Sequence, residues 1–195
     1  MSNVAKDAAE KTFQQNFVNR LKRWKWEAPD FLDGNKQKVT VQDLINHWRQ
    51  ELNRINADQL EGVALTDNEF QQVMAKVSQI NNSYEAAKLL AIEESTGKID
   101  GIFRDENPKV TRQQITLTIF KKAQVSGGDS SYRIAREVST EKGNRFDLVM
   151  LINGLPLINV ELKRTDQTLD EAFGQFMRYY RDGEYCNNFM AFSQM

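Results

Sequence analysis

Arg145-Phe146-Asp147 and Glu161-Leu162-Lys163 flank the dipeptide Asn153-Gly154 within an apolar stretch. Asn-Gly between two runs rich in Val, Ile, Leu and Phe is among the strongest short hairpin signals. The pattern therefore predicts two antiparallel strands, residues 145–152 and 157–163, carrying two acids and a lysine. Two carboxylates that meet on a sheet suit a divalent metal. A lysine beside them suits an attacked phosphate, so the set points to metal-dependent phosphodiester cleavage. Side chains alternate faces along a strand. Glu161 and Lys163 then share a face with Leu157 and Asn159, while Ile158, Val160 and Leu162 point the other way.

The face taken by Asp147 depends on register. A bare two-residue loop at Asn153-Gly154 pairs Ile152 with Leu155 and sets Asp147 opposite Val160. One extra loop residue or a bulge sets Asp147 opposite Glu161, since a one-residue slip turns every side chain over. Both registers leave the two acids close. The bland alternative is an edge hairpin with solvated charges. Against it, both strands read as nearly continuous apolar runs, which are usually buried on both faces. A buried acid needs a metal, a partner or a proton.

The elements that position these residues can be read outward from the hairpin. Residues 168–181 read as a helix: Thr168-Leu169-Asp170-Glu171 has capping-box spacing, and Gly183 fits the stop. Leu169, Ala172, Phe173, Phe176 and Tyr180 form its apolar stripe. Gln175 and Tyr179 are four apart and share a face, with Arg178 beside them. Directly after the Glu-Leu-Lys strand, they are placed to line the same cleft.

These residues carry a resemblance. Arg145-Phe146-Asp147, Ile152-Asn153-Gly154-Leu155-Pro156-Leu157, Glu161-Leu162-Lys163-Arg164 and Glu171-Ala172-Phe173 with Gln175-x-x-x-Tyr179 resemble the nuclease domain of type I restriction endonucleases. The match is to the N-terminal part of the restriction (motor) subunit, a branch of the PD-(D/E)xK nuclease superfamily. The specific match runs from about Gly143 to Tyr180. Leu65 to Phe70 and Lys98 to Ile102 are looser echoes. The resemblance implies a restriction-endonuclease-like α/β core: a mixed, mostly antiparallel central sheet flanked by helices, with an N-terminal helical region.

It also implies roles. Asp147 and Glu161 would bind Mg2+, for which Mn2+ substitutes, and Lys163 would contact the scissile phosphate or the attacking water. Gln175, Tyr179, Arg164 and Arg178 would support the site or the DNA. The superfamily often adds an acid from the first helix; Glu10 is the closest candidate here, and Gln14 stands where many relatives have Glu. Magnesium takes hard oxygen ligands and keeps several waters, so the backbone carbonyl of Leu162 is a natural third ligand. The implied partners are double-stranded DNA and the methyltransferase and specificity subunits. The relatives place an ATP-driven translocase after this domain. No Gly-x-x-x-x-Gly-Lys-[Ser/Thr] loop occurs in the sequence, so ATP belongs to a region outside it. Two rivals remain: another PD-(D/E)xK enzyme such as a repair nuclease, and a catalytically silent module docking the motor on its methyltransferase.

The rest of the chain reads as scaffold. Its 195 residues are 40% hydrophobic and 27% charged, ordinary for one globular domain: a helical part over about 1–95 and a sheet-rich core over about 98–195. One cysteine, Cys186, allows no intrachain disulfide and suits a reducing, cytoplasmic setting. No apolar run reaches about 18 residues, so no membrane span is expected. Net charge is −1, whereas a DNA-gripping domain is usually basic, so something else must deliver the substrate.

Arg20-Leu21-Lys22-Arg23-Trp24-Lys25-Trp26 is the densest basic stretch. It fits a helix with Phe13, Phe17, Leu21 and Trp24 inward and the basic residues wet. Further helices are expected from Thr40-x-x-Asp43 with the stripe Val41, Leu44, Ile45, Trp48, Leu52, Ile55; from Thr66-x-x-Glu69 with Phe70, Val73, Met74, Val77; and over residues 83–93. His47 falls off its stripe, with no second His or Cys near, so zinc is not expected. Strands follow at 115–120 and 132–138, separated by Gly127-Gly128. Residues 189–192, Phe-Met-Ala-Phe, read as the start of another strand cut off at Met195. That suggests a piece of a larger protein, with little activity alone.

Overall fold

The computed structural model describes residues 3–90, 96–121, 128–162 and 169–193. Thr40 and Thr66 each close a capping box, with Asp43 and Glu69 respectively, and each starts a helix. These helices are α2 (Val41–Ile55) and α3 (Asp67–Val77); α1 (Asn3–Lys22) precedes them and α4 (Ser83–Leu90) follows. The strands are β1 (Val39–Thr40), β2 (Thr96–Phe103), β3 (Gln114–Lys121), β4 (Tyr132–Ser139), β5 (Arg145–Ile152) and β6 (Leu155–Val160). A last helix, α5, spans Leu169–Arg181. Among the described residues the main sheet runs β1-β4-β5-β6, antiparallel except where β1 lies parallel to β4, and β2–β3 form a separate antiparallel pair. The architecture is the α/β one expected, with a mostly antiparallel sheet between helices.

The β5–β6 hairpin combines the two registers that the sequence left open. Ile152 pairs with Leu155 across a bare Asn153-Gly154 loop. Both loop residues have positive φ, +50° and +78°, as a type I′ turn requires. Then Met150 pairs with Ile158 and Leu151 with Pro156, so Leu157 is an extra residue, a β-bulge. The bulge shifts the ladder by one. Leu148 therefore pairs with Val160, and the next step sets Asp147 level with Glu161. Gly154 is required twice over: its φ is positive, and a Cβ there would sit 2.7 Å from Trp48 Cα on α2. The turn is docked against a helix, where Arg54 Nη2 donates to Asn153 Oδ1 at 3.2 Å.

Both faces of β5 are covered, as its unbroken apolar run demands; Phe146 to Ile152 are all buried. Val149 and Leu151 join a large core with Leu44, Trp48, Leu52, Phe189 and Phe192. On the other side Leu148, Ile134 and Leu162 pack with Val18 of α1.

Several elements depart from the sequence reading. Among the α1 residues whose burial is described, Gln14 and Val18 are buried, with Phe17 and Leu21 beside them, whereas Phe13 is 49% and Trp24, just past the helix, 78% exposed. The helix ends at Lys22 and Lys25 turns to positive φ, so Trp24 leaves the helical period. On α5 the stripe is rotated: Tyr179 is buried and Phe176 packs on the core, while Phe173 and Tyr180 are exposed. The rings of Phe146 and Tyr185 set that inward face.

Residues 189–192 form a 3-10 turn capped by the Asn188 side chain, not a strand. A three-residue period brings both Phe189 and Phe192 onto Trp48, at 5.1 and 6.4 Å between centroids, where a strand would have turned them apart. His47 is buried, edge-on to Phe31 at 5.6 Å. Gly127, Thr168 and the end of the 83–93 helix lie outside the described residues. Among the described residues no helix is long and apolar enough to cross a membrane.

Candidate active site

Asp147 is 5% exposed and lies near the start of β5. Just past the end of β6 the chain swings across it, and the Leu162 amide donates to Asp147 Oδ2 at 2.8 Å. The carboxylate is thus fixed by the segment after β6 that carries Glu161. No hydrogen-bond donor among the described residues engages the other oxygen, Oδ1.

Glu161 is oriented from α5. One nitrogen, Gln175 Nε2, donates to Glu161 Oε2 at 2.7 Å and to the Tyr179 hydroxyl at 2.5 Å. The Tyr179 hydroxyl in turn donates to the Arg145 carbonyl at 2.7 Å. The four-residue spacing of Gln175 and Tyr179 stacks them on one helix face, so a single turn of α5 ties Glu161 to the base of the strand bearing Asp147. The Tyr179 ring packs edge-on against Phe146 at 5.2 Å. Helix α5 stops in time because the Gly183 and Glu184 amides donate back to the Tyr180 and Tyr179 carbonyls.

A third support comes from α1. Gln14 is buried, and its Nε2 donates to Glu137 Oε1 at 2.7 Å and to the Asp147 carbonyl at 3.3 Å. Asn35 Nδ2 donates to Gln14 Oε1 at 3.1 Å. Glu137 also takes Arg145 Nε at 2.8 Å and has a left-handed φ of +51°.

The electrostatics register both carboxylates. Burial first and the Glu161 charge second, with a smaller push from Asp147, raise the Tyr179 phenol to about 12, against weaker opposing effects from Gln175 and Arg178. Tyr179 therefore stays a hydrogen-bond donor at neutral pH. Burial raises Tyr185 more strongly, against the hydrogen bond from Asn159 Nδ2 to its hydroxyl, with Glu161 adding to the rise.

No group of three or more His, Cys, Asp or Glu side chains gathers around one point among the described residues. Two hard carboxylates do occur, Asp147 and Glu161, and Leu162, the residue after Glu161, bonds Asp147 through its amide. That set fits magnesium, which keeps several of its waters, and lacks the nitrogen and sulfur that zinc prefers. Lys163 and Arg164 lie outside the described residues. Arg178 is exposed on α5, and Glu10 is on α1, one turn before Gln14, its side chain not described. The structure thus brings Asp147, Leu162, Glu161, Gln175 and Tyr179 together.

The sequence pattern marks no role for Glu137, Asn35 or Tyr185, and Gln14 stands out only by its place on the first helix. Asn159 shared the Glu161 face and was legible; nothing in the sequence marks the positive φ of Glu137.

Comparison with known proteins follows the same line. The sequence model of the family described as type I restriction enzyme R protein N terminus matches residues 7–195. The chain is 32% identical over 148 residues to the endonuclease subunit of the type I restriction enzyme SauCOLORF180P of Staphylococcus aureus (strain COL), covering 73% of this chain and 14% of that subunit. It is 31% identical over 148 residues to the corresponding SsaAORF53P subunit of Staphylococcus saprophyticus, with the same coverage. The EcoprrI endonuclease subunit of Escherichia coli is 22% identical over 183 residues, which is 82% of this chain and 52% of that protein. The chain thus spans about a seventh of the length of the staphylococcal relatives.

Proposed function

The chain belongs to the family of type I restriction enzyme R protein N termini, and on that premise we propose that it is the magnesium-dependent endonuclease domain of such an enzyme, hydrolysing phosphodiesters of double-stranded DNA without reading bases. One observation carries the reading: a buried carboxylate, Asp147, clamped by the Leu162 amide at the level of a second carboxylate, Glu161, which α5 holds by its own hydrogen bond. A buried carboxylate is costly unless a cation, a proton or further hydrogen bonds meet it.

Asp147, Glu161 and the Leu162 carbonyl are the ligands. When bound, magnesium acidifies a coordinated water and neutralises charge on the attacked phosphate; Mn2+ serves the same donors. Lys163 presents a cation to that phosphate. Gln175 fixes the direction of Glu161, and Tyr179 fixes Gln175. Arg164 and Arg178 meet the DNA backbone. On α1 the contact to the Asp147 strand is made by Gln14, and Glu10 stands one turn away as an additional acid.

By the same reading, target recognition and methylation belong to specificity and methyltransferase subunits of a cytoplasmic complex. ATP hydrolysis belongs to a translocating motor outside these 195 residues. The ligand assignment is tested by titrating Mg2+ into 15N-labelled protein. The Leu162 and Asp147 amides are expected to shift and saturate, and Mn2+ to broaden them, with both responses abolished in Asp147→Asn. Equal responses in that variant, or shifts centred elsewhere, contradict the assignment.

A further inference from the structure

We propose that a polar cleft beside the carboxylate pair is a second subsite, which takes a backbone phosphate of the nucleic acid next to the one cleaved; the proposal rests on the nuclease reading. The cleft holds about 330 Å³ and is lined by Lys11, Lys38 and Arg145, with Glu137, Gly34 and Asn35. Three cations face one acid there. That acid is already engaged, by Arg145 Nε at 2.8 Å and Gln14 Nε2 at 2.7 Å. Lys11 and Lys38 form no ion pair among the described residues, so their charge is available to an anion.

The cleft is built, not merely lined by mobile side chains. Gly34 lies so close to β4 that a Cβ would stand 2.5 Å from the Arg136 carbonyl and 2.6 Å from Glu137 Cβ. Its amide donates to that carbonyl at 2.9 Å. Asn35 is tied to Gln14, and Glu137 is turned by its positive φ. An isolated surface lysine has none of this support.

Two residues belong to both cleft and carboxylate centre. Gln14 bonds Glu137 on the cleft side and the Asp147 carbonyl on the other. Arg145 turns its guanidinium to the cleft, while its carbonyl accepts from Tyr179. A ligand that spans both positions must carry successive phosphates, and a nucleic acid strand does. The chain's net charge of −1 gives no general attraction for a polyanion, so a local concentration of cations must supply it.

The test uses the 195-residue protein with a short fluorescent DNA duplex and Ca2+ in place of Mg2+. Lys11→Gln with Lys38→Gln is compared with wild type by anisotropy across a salt series. Both side chains are exposed, so the variant keeps its fold, checked by thermal melting. We expect binding weakened about tenfold or more, and a salt slope shallower by about 1, since the cleft takes one phosphate and each phosphate contact contributes about one. In the amide spectrum the duplex should shift Gly34, Asn35 and Ser139 in wild type only.

Unchanged affinity and slope in the double variant overturn the cleft, as does a wild type that binds no duplex. Inorganic phosphate alone should occupy the cleft only weakly; saturation by phosphate without competition against DNA also overturns the proposal. Ca2+ shifts at Leu162 are read separately. Their loss in wild type contradicts the nuclease reading, while their persistence alongside a lysine-independent duplex contradicts the cleft alone.

Discussion

The Leu162 amide donates to Asp147 Oδ2 at 2.8 Å across the open end of the β5–β6 hairpin. There the regular ladder has stopped, and a side chain replaces a backbone carbonyl as acceptor. The bulge at Leu157 is what makes the meeting possible, because it moves the β6 register by one residue. One extra residue in a strand thus decides whether the acid at position 147 faces Val160 or Glu161.

Gln175 holds Glu161 through one nitrogen that also reaches Tyr179. Partners that orient metal-binding carboxylates typically account for about 10–100-fold in metal affinity or activity. Gln175→Ala should therefore weaken Mg2+ binding by a factor in that range. Isothermal titration measures it, with an unchanged melting temperature as control. A variant that binds Mg2+ as tightly as wild type removes Gln175 from the site.

Tyr179 titrates at about 12, pushed there first by burial and then by the Glu161 charge. In the unfolded chain it ionises near 10, so above that value the unfolded state loses its proton first. The stability from neutral Tyr179 is complete below pH 10 and is lost as pH rises toward 12. Tyr179→Phe should flatten the alkaline fall in stability and remove one late step from the tyrosinate absorbance titration. An alkaline unfolding profile identical to wild type would argue against a buried, charge-coupled phenol.

Gly154 sits at φ +78° with Trp48 Cα 2.7 Å from where a Cβ would stand. Gly154→Ala adds backbone strain of roughly 1–3 kcal/mol to a clash with a helix backbone. Chemical denaturation should show a loss of about 3 kcal/mol or more. Because the turn sets the hairpin register, Mg2+ binding should fall with it. A neutral Gly154→Ala contradicts the docking of the turn on α2.

Much of this arrangement was legible in the chain because local chemistry wrote it. Asn153-Gly154 prescribed its turn, Thr40 and Thr66 their helix starts, and the unbroken apolar run of β5 its two-sided burial. The register of Asp147 was left open, since a bare loop and a bulge both fitted the pattern; the bulge falls at Leu157, directly after Pro156, where a proline within a strand is tolerated. The inward faces of α1 and α5 were legible in part: Phe17, Leu21 and Phe176 do pack inward, whereas Phe13, Trp24, Phe173 and Tyr180 are exposed. Period alone weighs Phe13 and Phe173 by hydrophobicity, whereas the fold chose faces by the partners available: Gln14 with Glu137, Tyr179 with Phe146. For the same reason the Phe189–Phe192 turn wraps Trp48 instead of extending.

His47, the only histidine of the sequence, has its ionisation lowered from 6.5 chiefly by burial, against the opposing pull of the Glu51 charge and the Gln50 side chain. Between the folded and unfolded values the unfolded chain binds more protons. Stability is therefore complete above about pH 6.5 and declines below it, by up to about 1.4 kcal/mol per pH unit. Denaturation between pH 7 and 5.5 should show this decline in wild type and much less of it in His47→Leu. Equal acid sensitivity in both would place His47 in water.

The central claim is that Asp147 and Glu161 form the cutting centre. The most direct measurement is plasmid cleavage by the complete restriction assembly carrying this chain, with ATP and Mg2+, comparing wild type with Asp147→Ala and Glu161→Ala while ATP hydrolysis is followed in the same tube. The account predicts that both variants hydrolyse ATP at the wild-type rate and leave the plasmid uncut. Normal cleavage by either variant would contradict it and return the hairpin to an ordinary part of the sheet.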